Sequence, residues 1–177
     1  MAMSEVRELT LIFSLEEINM SEQSNVNNHL QIEDELNEAL SGDRLKNALS
    51  FIAYMKSSGM TTHAEHNNAF EYKGEWVCIV CIIPLEGVPS WVIFDNPLTS
   101  KFDDFPVDED LKGFAWANAN ICASCGCGSQ PGRTKTIFGK EFNNICTSDV
   151  AFWNPDTDAL KKIKQMIDMW KKSVDTK

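Results

Sequence analysis

The sequence predicts an α+β domain: an antiparallel sheet of three or more strands packed with helices, plus a cysteine-anchored β-hairpin and a C-terminal helix. Three observations carry that reading. Apolar residues recur at helical spacing in two stretches, Leu45 to Met55 and Leu160 to Trp170. Between them a run of apolar, β-favouring residues, Trp76 to Ile83, is bracketed by turn signals. Four of the six cysteines then fall between positions 122 and 146.

With 177 residues, 43% of them hydrophobic, the chain suits one sizeable core. We place the domain at residues 41–177 and read residues 1–40 as an acidic N-terminal extension, loosely attached or partly helical. In the extension, Leu9 to Phe13 has the make-up of a short strand and Ser21 to Asn28 that of a polar connection. Ile32, Leu36 and Leu40 fall at helical spacing. Residues 1–43 hold ten acids against Arg7, so nearly all of the net charge of −10 belongs to this arm. A solvated arm is the simpler explanation, and a docking surface for a basic partner is the alternative. Neither half carries the basic stripe that neutralises phosphates, so no nucleic acid is expected.

From Ser41 the elements follow in order. Ser41 caps a helix to about Ser57, with Leu45, Ala48, Leu49, Ile52 and Met55 on its apolar face and Gly59 as the stop. His63 and His66 lie in a polar connection with Glu65. Two histidines three apart can share a metal, but hydrogen-bonded loop histidines are the simpler reading, and His29 has a weaker claim still. Phe70 and Tyr72 lead through a Lys73-Gly74 turn into the central strand. A loop with Pro84, Gly87 and Pro89 connects it to Trp91-Val92-Ile93-Phe94. Both faces of the central strand are apolar, which predicts cover on both sides. Cys78 and Cys81, three apart on a strand, point to opposite faces, so they read as buried structural thiols rather than a redox pair.

Asp108 is the expected cap of a second helix, with Leu111, Phe114, Ala115 and Asn118 on one face. It delivers the chain to Cys122. Beyond Pro131-Gly132, a Gly139-Lys140 turn of the type II′ kind joins two strands. Pairing Phe138 with Glu141 would set Cys146 opposite Arg133. Asn154 caps and Pro155 opens the last helix, whose apolar stripe is Leu160, Ile163, Ile167 and Trp170. The five tryptophans read chiefly as core.

The spacing C-x2-C-x-C-x18-C is the strongest chemical signal. Zinc takes four thiolates tetrahedrally, two of them from a tight turn with glycine after the second cysteine, as in Cys122-Ala123-Ser124-Cys125-Gly126. Cys127 follows at once, and the hairpin returns Cys146. A closed site of Cys122, Cys125, Cys127 and Cys146 implies structural zinc in a non-catalytic binding or interaction module. The gap of one between Cys125 and Cys127 is short for one ion and also suits thiol exchange. The alternative is therefore a thiol-disulfide protein using Cys125 and Cys127 or Cys122 and Cys125, with Arg133, Lys135 and Lys140 to support a thiolate. A second alternative is a small-molecule-binding domain with an apolar pocket. Asp103 and Asp104 lack an evident partner. No hydrolase, metalloprotease or phosphate-loop motif occurs, which disfavours an enzyme.

The run Ala115-Trp116-Ala117-Asn118 through the cysteines, then Thr136-Ile137-Phe138-Gly139-Lys140-Glu141-Phe142-Asn143-Asn144-Ile145-Cys146 and Asn154-Pro155-Asp156, resembles the C-terminal half of a group of small uncharacterised bacterial proteins. The likeness covers roughly residues 45–172 and brings no activity with it. It implies a bacterial, cytoplasmic protein. The apolar run is too short for a membrane span and the N-terminus has no secretory pattern, which agrees. The partner expected is an unidentified protein or small molecule.

Overall fold

The computed structural model describes residues 32–63, 66–95, 107–122 and 132–176. The Leu9 to Phe13 strand, the Ser21 to Asn28 connection, His29, Asp103, Asp104, Cys125 and Cys127 lie outside them. Among the described residues there are four helices and a seven-stranded antiparallel sheet. They are α1 (32–39), α2 (Gly42–Ser57), β1 (Thr61–His63), β2 (His66–Tyr72), β3 (Glu75–Leu85), β4 (Val88–Asp95), α3 (Glu109–Ala117), β5 (Ala119–Ile121), β6 (Arg133–Ile137), β7 (Lys140–Trp153) and α4 (Thr157–Asp175). The sheet order is β1-β2-β3-β4-β7-β5, with β6 also paired to β7. The sequence thus declares its fold class correctly.

Hydrophobic burial explains the layering. Alternation along β2, β3, β4 and β7 sends Phe70, Cys78, Val80, Trp91, Ile93 and Phe152 to one side. There they share a core with Leu36 of α1, Phe51 and Ile52 of α2, Leu111 of α3, and Ile163 and Trp170 of α4. The apolar stripes of α2 and α4 are therefore core, as their spacing requires. Ile32, Leu36 and Leu40 belong to the same core, so from residue 32 onward the chain packs with the domain.

The hairpins share one device. Lys73-Gly74, Glu86-Gly87 and Phe138-Gly139 each place two successive residues at positive φ. That is the type I′ turn, whose twist matches that of the flanking strands. The first was legible in the sequence. The second replaces the loop expected around Pro84 and Pro89, because the two prolines stand opposite each other, one pair back from the turn. In a two-residue hairpin that pair exchanges no hydrogen bonds, so neither missing N–H breaks the ladder.

The third turn corrects the Gly139-Lys140 assignment. Ile137 pairs with Lys140, and Phe138 enters the turn at φ 45°, an unfavourable value that costs on the order of 1 kcal/mol. In exchange its ring packs into the core, 5% exposed, beside fully buried Ile137. In a continued strand, alternation would have turned the two side chains to opposite faces. An extra residue in β7 near Asn144, itself at φ 63°, then shifts the register again. Arg133 therefore faces Ile145 and not Cys146.

The cap of α4 is also displaced. Asp156 accepts from the Ala159 N–H at 2.8 Å, whereas Asn154, at φ 42°, exchanges hydrogen bonds with the Trp91 backbone at 2.8 and 3.0 Å and ties β7 to β4. Replacing Asp156 with alanine is expected to cost about 1 kcal/mol in urea unfolding, with the sheet intact by circular dichroism. Asp108 caps α3 as read, accepting from the Leu111 N–H at 2.8 Å. No helix among the described residues is long and apolar enough to cross a membrane.

Candidate ligand cleft

The central strand β3 does lie between β2 and β4, but the second expected covering layer is absent among the described residues. Ile79, Cys81 and Ile83 alternate away from the helices, as do their neighbours Val92, Phe94 and Trp153. On this face a cavity of about 770 Å³ opens, within the range of small-molecule sites. Its floor is Ile79, Cys81, Ile83 and Phe94. Trp76 and Trp153 stand at its sides, and Asn120, Cys146, Thr147 and Ser148 contribute from β5 and β7. Phe94 meets Trp153 edge-on at 6.3 Å, and Asn120 donates to Ser148 Oγ at 2.8 Å.

One acid, Asp95, borders this cavity at the end of β4, next to Phe94 in sequence and paired with Cys78 of the core face. Strand β7 is paired to β6 as far as Ile145 and to β4 only from Ala151. At the edge of the interval between them, Asp95 accepts from the backbone N–H groups of Asp149 and Val150, both on Oδ1, at 3.1 and 2.9 Å. The last side chain of β4 thus stands in for strand pairing. Asp95 is 2% exposed, and its Oδ2 has no hydrogen-bond partner among the described residues. Burial is the main reason its carboxyl is pushed up to about 7. The two amides oppose that shift, nearby Asp149 adds to it, and Lys135 reduces it. Asp149 is itself held by Lys135 at 2.7 Å, with Arg133 at 3.9 Å.

The sequence-derived site residues are divided by the structure. Cys122 follows Ile121, the β5 partner of Ile145, and its N–H donates to the Asn144 carbonyl at 2.7 Å. Cys122, one residue past the end of β5, is thereby held beside β7, the strand that carries Cys146, despite their separation in sequence. Cys125 and Cys127 lie outside the described residues, and among the described residues no three metal-ligating side chains gather. Cys78 and Cys81 do face opposite ways. Cys78 is wholly buried in the helical core and its thiol is pushed strongly up by burial. Cys81, read as buried, instead lines the cleft, where partial burial raises its thiol.

His63 and His66 end and begin paired strands rather than lying in a loop. Their rings stack at 5.5 Å, and His63 lies 4.8 Å from Trp76 at the cleft. Of the tryptophans, Trp91 and Trp170 are core, whereas Trp153 is 41% exposed. Asp95, Phe94 and Asn120 did not stand out in the sequence. The available signal was the doubly apolar β3 together with a lone acid closing the run Trp91 to Phe94.

Compared with protein-family models, curated proteins and solved structures, the chain matches none.

Proposed function

We propose that this chain is a non-catalytic binding domain that takes a small, largely apolar molecule in the cleft on the sheet face turned away from the described helices. The observation that carries the reading is the cavity of about 770 Å³, apolar over its floor and bordered by a few polar groups and one buried carboxyl. A sheet face bearing Ile79, Ile83, Phe94 and Trp153 gains free energy from any apolar cover, at about 25 cal/mol per Å² removed from water. The uncharged, solvatochromic dye Nile red is expected to bind one per chain with blue-shifted emission. Trp153→Ala combined with Ile79→Ser should weaken it by about tenfold, the equivalent of 1.4 kcal/mol. Unaltered binding to that variant would remove the cleft reading.

A second proposal concerns the cysteines. Structural zinc at Cys122, Cys125, Cys127 and Cys146 would staple the end of β5 to β7, and the placement of Cys122 beside β7, the strand that carries Cys146, supports it. The expected result is one zinc per untagged chain by elemental analysis, with loss of stability on chelation, because metal binding energy at such a site is folding energy. Less than about half an equivalent, with rapidly titrating thiols, would favour thiol-disulfide exchange instead. A cytoplasmic location in a bacterium is proposed on the resemblance of the C-terminal half alone.

A further inference from the structure

We propose that the cleft is selective for organic cations: an amine or quaternary ammonium on an apolar, ring-bearing body, held with its charge toward Asp95. This rests on the cleft reading above and specifies its ligand. Three observations converge on it. Asp95 is the only carboxyl among the described lining residues, and neither lysine nor arginine is present among them. Its Oδ1 is committed to the two β7 amides, while Oδ2 has no hydrogen-bond partner among the described residues, so a cation seated in the cavity beside Asp95 would compensate the charge of the ionised carboxyl. Finally, Trp76, Phe94 and Trp153 line the same cavity, and aromatic faces attract cations through their quadrupoles.

The charged groups around Asp95 set the sign. Asp149 of β7 repels negative charge there and Lys135 of β6 offsets it, with Arg133 placed against Asp149. On β3, Cys78 stands opposite Asp95 with its thiol held neutral by burial. A cation entering the cleft thus meets a carboxyl poised near neutrality, and its binding favours the ionised form. An anion of the same shape meets repulsion from that form.

The test compares tetraphenylphosphonium with tetraphenylborate, which share shape and differ in charge, by titration calorimetry at pH 8 on the full chain. The cation is expected to bind about tenfold more tightly, as one desolvated charge and cation–π contact warrants. Asp95→Asn keeps an acceptor for the Asp149 and Val150 amides and should abolish the preference by weakening the cation alone. In the wild-type chain the preference should grow from pH 6 to pH 8 as Asp95 ionises, which decides the matter even if the variant does not fold. Equal affinities with no pH dependence, or an unchanged preference in Asp95→Asn, would overturn the cation assignment. If Nile red binds in such a case, the cleft reading stands without it; if neither ion nor Nile red binds, both fall.

Discussion

Replacing Asp95 with alanine is expected to lower the unfolding free energy by about 2–4 kcal/mol at pH 5.5, measured by urea denaturation, because two buried backbone N–H groups lose their shared acceptor. Those groups, on Asp149 and Val150, sit where β7 has passed beyond β6 and has not yet reached β4. Asp95→Asn retains a carbonyl oxygen in the same place and should cost less than half as much. A loss under about 0.5 kcal/mol for the alanine variant would mean that water or another group takes over the amides.

The same residue dictates a pH dependence. The folded carboxyl titrates at about 7, above its ordinary 3.8, so the folded chain binds the extra proton between these values. Its contribution to stability is complete below about pH 4 and is lost as pH rises through about 7, by on the order of a few kcal/mol. Asp95→Asn should flatten this part of the profile. Stability that rises between pH 5 and pH 8 in the wild-type chain, and equally in the variant, would contradict the assignment.

Gly132→Ala is the second large effect, expected at about 2–3 kcal/mol. A Cβ at Gly132 would lie 2.5 Å from the Asn144 carbonyl carbon and 2.6 Å from its oxygen, closer than van der Waals contact allows. Asn144 has little room to retreat. It occupies the left-handed region, and its carbonyl accepts the Cys122 N–H while its side chain donates to the Cys122 carbonyl. The strain would therefore reach the β5–β7 junction, where two of the candidate zinc ligands lie. A chemical denaturation midpoint equal to that of the wild-type chain would show that the close approach is not maintained in solution.

Much of the fold was open to a reader of the sequence because its causes are local. Period-3.6 stripes marked α2 and α4, Asp108 stood at the start of α3, and Lys73-Gly74 advertised its turn. The errors arose where two local preferences competed. Gly139 satisfies either a II′ turn starting at itself or an I′ turn starting at Phe138. Burial of Phe138 beside Ile137 selects the second, and no pattern of spacing contains that energy. Asn154 is likewise a fair cap by type, but its contact with Trp91, 63 positions away, claims it for the sheet.

The candidate site divides along the same line. Sequence alone determined that β3 is apolar on both faces and that Cys78 and Cys81 are separated by the sheet. Tertiary structure alone decided that all the helices described pack on one face. It thereby left Ile79, Ile83, Phe94 and Trp153 to line a cleft, and it set Asp95 at the point where β7 changes partners. The physical reason is range: periodicity and capping act over a few residues, whereas the cleft and its carboxyl arise from strands whose pairing spans more than fifty.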